Sequence, residues 1–250
     1  MSDLDRVFSR KALISHIIAG YPDIETTGRL IPAMADAGVD MIIVEIPFSD
    51  PISGGPEIQG VHATALSAGV TTDSIFDMIE GIRGTCDVPI AVMTYYNPVF
   101  VYGPEAFVDR CVFAGVSSLL VPDLPFEERM ELRPICDAWG VHMVSMIAPT
   151  YEDRMRRIVS ESTGYVYILR FVDQAGFPEG YVHDPEEMAA ICHEAGLRCI
   201  MDTGTGEAGS VLAFADGAVD GTDVMTLVLR HGRECVQFVA DYARGVRTRI

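Results

Sequence analysis

Short apolar runs rich in β-branched residues recur along the chain at 12–19, 39–46, 88–94, 117–121, 141–147, 165–169 and 197–201, with a weaker one at 218–220. Within each run apolar residues follow one another with little alternation, the pattern of strands buried on both faces of a parallel sheet. Between the runs the period changes. In 26–37, Leu30, Ile31, Met34 and Ala35 recur at helical spacing, and in 74–83 Ile75, Met78, Ile79 and Ile82 do the same. Segments 105–114, 127–139, 152–160, 184–195, 207–215 and 232–243 carry similar stripes, and each predicts a helix. Gly38, Gly115, Gly140 and Gly196 each stand between such a helix and the next strand. A left-handed glycine is a common way for a helix to end and turn back.

Eight strand–helix units in 250 residues predict an α/β protein built as a single (β/α)8 TIM barrel, with 1–250 as one domain. An open doubly wound sheet is the alternative that the pattern leaves standing. No Pro/Ser-rich linker or low-complexity tract divides the chain. In a barrel, chemistry gathers at the C-terminal ends of the strands and in the loops that follow them. Those loops are expected at 20–23, 47–61, 95–102, 122–126, 148–151, 170–181, 202–206 and 221–223.

Charge narrows the partners. With 18 Lys+Arg against 36 Asp+Glu the formal net charge is -18, so no basic footprint exists for nucleic acid, and an anionic membrane surface is disfavoured for the same reason. A phosphorylated small molecule stays possible, because backbone N–H groups bind phosphate without basic side chains. No apolar run approaches the ~18–20 residues of a membrane-spanning helix, and the N-terminus lacks a signal-peptide pattern. The six cysteines form no C-x-x-C pair and read as buried free thiols of a reducing compartment, so a cytoplasmic location is expected. His62, His142, His183, His193 and His231 show no metal-ligand spacing and read as surface residues. With no Walker loop and no dinucleotide fingerprint, neither a cofactor nor a metal is expected.

The loop after the second strand reads Pro47-Phe48-Ser49-Asp50-Pro51, then Gly55-Pro56-Glu57-Ile58-Gln59. Together with Gly20-Tyr21-Pro22, Gly69-Val70-Thr71-Thr72, Tyr95-Tyr96-Asn97-Pro98 and 121–128 (Val-Pro-Asp-Leu-Pro-Phe-Glu-Glu), this signature resembles the α subunit of tryptophan synthase over almost the whole chain. The resemblance implies a barrel that cleaves indole-3-glycerol phosphate, a lyase reaction of tryptophan biosynthesis giving indole and glyceraldehyde 3-phosphate. It also implies a separate β subunit as partner. Position by position, the catalytic pair of the family is missing. Its glutamate, four residues before the first proline of the signature, corresponds to Ile43, and its aspartate before Gly-Pro corresponds to Gly54. The loop-six threonine that meets that aspartate corresponds to Ala175, within Asp173-Gln174-Ala175-Gly176. In strand one, His16 replaces an aromatic residue that packs near the indole.

Other matches are kept. The phosphate-contacting positions correspond to Gly176, Gly204, Gly221 and Thr222, although Asp202 and Asp223 close by would repel an anion if unpaired. Asp50, Pro51, Asn97, Pro98 and Pro125 match the face that meets the β subunit, and Tyr167 matches a tyrosine that reaches the active site. Tyr95 either lines the pocket or packs. In a strand, residues i and i+2 share a face, so Glu45 points into the barrel as Ile43 does. Glu45 and His16, on neighbouring strands, are therefore the acid/base candidates, with Tyr167 beside them. Standard cleavage is expected to be lost or strongly reduced. The alternatives are a lyase or isomerase repurposed for another phosphorylated substrate through Glu45 and His16, or a non-catalytic subunit that only binds a partner.

Overall fold

The computed structural model describes residues 2–52, 55–169, 181–182, 184–204 and 207–250. Gly54, Asp173, Gln174, Ala175, Gly176 and His183 lie outside them. The apolar runs become strands, in chain order β1 (Ala12–Ile18), β2 (Met41–Glu45), β3 (Ile90–Met93), β4 (Val116–Leu120), β5 (His142–Met143) and β6 (Ser145–Ile147). After these come β7 (Thr150–Tyr151), β8 (Tyr165–Ile168), β9 (Tyr181–Val182), β10 (Arg198–Asp202) and β11 (Gly217–Asp220). β7 and β9 make a small antiparallel pair. The other nine pair in parallel in the order β5-β4-β3-β2-β1-β11-β10-β8-β6. The two ends of that order flank one residue, Val144, whose N–H donates to Leu119 at 2.9 Å. β5 pairs with β4 and β6 with β8, so both are halves of one wall strand and the sheet is a nearly closed barrel.

Alternation along each strand divides the core in two. Ile14, Ile43, Ala91, Leu120, Tyr165 and Ile200 fill the barrel. Leu13, Ile42, Val44, Val92, Leu119 and Val166 face the helices. Full burial contributes about 1.5–3 kcal/mol for each large side chain, and the two shells share that stabilisation across the whole chain.

Helices follow most of the predicted stripes: Ile24–Asp36, Thr72–Ile82, Pro104–Phe113, Glu152–Ser160, Pro185–Glu194, Ala208–Leu212 and Cys235–Arg249. The stripe at 127–139 breaks into a 3-10 turn, Phe126–Glu131, and a helix, Arg133–Trp139. Pro134 sits in the first turn of the second piece, the one helical position where a missing N–H costs nothing. Gly38, Gly115, Gly140 and Gly196 all adopt positive φ (97°, 68°, 73° and 74°), which a side chain would strain. The six cysteines are buried and free.

Two segments expected as loops are corrected. Pro56–Ser67 is a helix that begins within the stretch read as 47–61 and runs beyond it, and Tyr96–Tyr102 is a helix within 95–102. The first buries only Val61, His62 and Ala65, a stripe too narrow to stand out in a motif-rich segment. That helix also overturns the surface reading of His62, which is 1% exposed. No described helix is long and apolar enough to cross a membrane.

Candidate functional site

Parallel strands bring their C-terminal ends to one rim. Glu45 ends β2, Asp202 ends β10, and Gly221 and Thr222 follow β11 directly. With His16, His62 and Tyr167 these residues surround a cavity of about 260 Å³. Apolar side chains, among them Ile18, Met93 and Met225, line the rest of it.

β1 and β2 run in register with Ile18 opposite Glu45 and His16 opposite Ile43. Glu45 therefore rises one pleat above Ile43 on the same interior face, and its carboxylate leans back toward the histidine. His16 Nε2 donates to Glu45 Oε2 at 2.9 Å. The second oxygen of Glu45 stands 3.7 Å from His62 Nε2. His62 Nδ1 accepts the backbone N–H of Phe48 at 3.2 Å, which places the ring proton on Nε2, facing Glu45. Phe48 in turn stacks on Tyr95, with ring centroids 4.8 Å apart. The Tyr95 hydroxyl accepts the N–H of Ile52 at 3.0 Å. Of the two roles open to Tyr95, the structure gives it packing: it clamps the loop after β2. The mouth loop, Glu45 and the two histidines are thus joined through His62 and the Phe48–Tyr95 stack.

The two imidazoles are driven apart. Burial alone would lower His16, but the hydrogen bond and charge of Glu45, joined by the charge of Asp202, outweigh it and raise its pKa above the ordinary value. Burial lowers the pKa of His62, and the charge of Glu45 does not offset it. Burial, reinforced by Asp202 and Glu45, holds the Tyr167 hydroxyl well above its usual pKa, so it stays protonated and can donate. For His16 the folded value lies above the unfolded one of about 6.5, so its stabilisation is complete below that pH and disappears as pH rises through the folded value. His62 acts in the opposite sense, and its contribution is lost as pH falls below about 6.5. An NMR titration is expected to give a His16 midpoint above 6.5 and a His62 midpoint below it (about, for a free imidazole). A His16 midpoint below that value would mean that burial, not Glu45, governs the ring.

The end of the pocket formed by Gly204, Gly221 and Thr222 is more occupied than its glycines imply. The Gly204 N–H donates to Asp202 Oδ1 at 2.5 Å. Gly221 is the N-cap of helix Thr222–His231 and Thr222 its first residue, and no side chain caps it from the N-cap position. Buried Asp220 instead accepts the N–H of Asp223 at 3.3 Å. The Tyr242 hydroxyl lies 2.6 Å from Asp220 Oδ2 and 2.9 Å from Asp223 Oδ2. Asp202 and Asp223 are therefore partnered. The Cβ of any larger residue at Gly221 would come within 3.2 Å of His16 Nδ1, so the absent side chain leaves room for both the imidazole and a ligand.

The strand-end pocket in a closed parallel sheet defines a (β/α)8-barrel protein with its site at the rim. Residues 4–244 match the family model described as tryptophan synthase alpha chain. The tryptophan synthase alpha chain of Lacticaseibacillus casei is 32% identical, over 100% of this chain and 96% of its own. That of Geobacter sulfurreducens is 36% identical over 93% and 92%. The match to the Alkaliphilus metalliredigens protein is 42% identical but spans 65% of this chain and 61% of that one. A crystal structure of the tryptophan synthase complex from Pyrococcus furiosus superposes with a TM-score of 0.84 at 27% identity, covering 96% of this chain and 98% of that one. The alpha chain from Legionella pneumophila gives 0.85 at 25% identity, covering 99% and 97%. The chain belongs to the tryptophan synthase alpha chain family.

Proposed function

We propose that this barrel binds an indole-3-glycerol-phosphate-like phosphorylated ligand, with the retro-aldol cleavage to indole and glyceraldehyde 3-phosphate lost or strongly reduced. The observation carrying this reading is Ile43. It stands where the resemblance puts the family's glutamate, and it is a fully buried aliphatic side chain of the barrel interior. Such a group neither takes nor gives a proton. Glu45 and His16 supply the pocket's proton transfers in its place, the carboxylate as base and the raised imidazolium as acid. Tyr167 adds a neutral hydroxyl.

The phosphate is received at Gly221 and Thr222, where the positive end of the helix favours an anion, with Gly204 beside it and Gly176 from outside the described residues. Glycerol 3-phosphate is expected to protect the protein against heating in a saturable way, and Gly204→Val or Gly221→Val to abolish that protection. Protection that persists unchanged in both variants would remove this site.

Asp50, Pro51, Asn97, Pro98 and Pro125 lie in the segments that follow β2, β3 and β4 and are assigned to contact with a β-type subunit. Ile52 and Phe100 on the same rim are 71% and 63% exposed, apolar area that a partner would cover. A one-domain, cytoplasmic protein is proposed on the same footing.

A further inference from the structure

We propose that the opposite end of the barrel carries a zinc-type divalent metal site formed by His193, Cys199 and Asp216. His193 lies in the last turn of helix Pro185–Glu194, Cys199 near the start of β10, and Asp216 directly before β11. Cys199 is three residues before Asp202, so this cluster sits roughly 10 Å down the strand from the pocket, near the N-terminal face. In barrels that face serves stability, whereas chemistry is done at the other end.

His193 Nε2 is 2.9 Å from Asp216 Oδ2 and 3.7 Å from Cys199 Sγ, and the three donor atoms all lie within 4.8 Å of one another. A tetrahedral zinc ion with bonds of 2.0–2.3 Å holds its ligands roughly 3.3–3.7 Å apart, so the widest pair would close by no more than about 1.5 Å to admit it. A Cys-His-Asp proton relay would use the two ring nitrogens separately. Here carboxylate and sulfur both address Nε2, which blocks a relay and is what ligands converging on one ion do. Among the described residues this is the one such group of three.

The surroundings fit a metal as well. The Cys199 N–H donates to Asp216 Oδ2 at 2.9 Å, and the Asp216 N–H donates to the Cys199 carbonyl at 2.9 Å. That reciprocal lock orients two ligands, the task of an outer shell. One thiolate, one carboxylate and a neutral imidazole balance a divalent charge. The His193 side chain is 42% exposed, which leaves a side open for entry and for water as fourth ligand. Histidine spacing along the chain gives no hint of this site, because each ligand comes from a different element.

The test uses the full chain stripped with a chelator and titrated with Co²⁺, then with Zn²⁺ in competition. One equivalent of Co²⁺ is expected to produce a thiolate-to-cobalt absorption band, and Zn²⁺ to displace it and raise Tm. His193→Gln and Cys199→Ser should each weaken binding by more than about 100-fold, the upper end of what an outer-shell change costs. Cys192→Ser should keep the band. Circular dichroism of the metal-free variants establishes folding first, and if Cys199→Ser fails there, exposed His193→Gln decides alone. No band in the unaltered protein, or a band that survives His193→Gln, overturns the proposal.

Discussion

Purified protein is expected to release indole from indole-3-glycerol phosphate at least about 10³-fold more slowly than an ordinary member of its family, with or without a β subunit. Each positioned acid or base contributes roughly 10²–10⁴-fold, and the resemblance puts Ile43 and Gly54 at the positions of two. Glu45 does not substitute directly, because it stands about 6.5 Å nearer the rim than position 43. Restoring Ile43→Glu, Gly54→Asp and Ala175→Thr together should recover activity, and single restorations little, since such groups act as a unit. The new glutamate would enter a fully buried apolar layer, but its register partner across the ladder is His16, which supplies a cation. Ordinary indole release by the unaltered chain would sink this expectation.

Glu45→Gln should have the second-largest effect. Any turnover of a phosphorylated substrate in the pocket is expected to fall by about 10²–10⁴-fold. Stability should drop by about 1–3 kcal/mol, because the amide oxygen can face only one of His16 and His62 and turns its NH2 group toward the other. With the charge gone, burial wins at His16 and its NMR midpoint should move below that of the unaltered protein. His16→Gln should reduce turnover comparably, by the same argument from the acid partner. If both variants leave stability, ligand affinity and turnover unchanged, the pair only fills space, and a partner-binding subunit without chemistry becomes the better description.

Much of this arrangement is legible in the sequence. Strands buried on both faces leave a strong trace, and the runs around Ile43, Ala91 and Ile200 sit where the barrel needs them. The facing of Glu45 followed from strand alternation alone. Local pattern failed where tertiary contacts decide. The helix Pro56–Ser67 hides in a segment dominated by Pro and Gly, and with it His62, although Val61, His62 and Ala65 at i, i+1 and i+4 were the available signal. The bond between Asp202 and the Gly204 amide, and that between Asp220 and Asp223, could not be read from residue types, since glycines and a helix start look equally ready for any anion. The 127–139 stripe predicts one helix from its periodicity, whereas the structure starts a new helix at Arg133 with Pro134 in its first turn.

The alternation of β2 has a consequence for how an active site of this kind can move. An interior strand face is quantised: its usable positions are rungs about 6.5 Å apart, and a step of one residue would turn a carboxylate out toward the helices. From position 43 the shortest available step toward the mouth is therefore to Glu45. Across β1 the registers tie Gly221 to the rung of Ile43, because Ser15 pairs with Asp220 and His16 with Ile43, and Glu45 stands one rung nearer the mouth. With a phosphate held at Gly221 as proposed, a group at position 45 would meet the ligand one rung nearer the mouth than a group at position 43, so the spacing of the strand sets which part of the molecule can react.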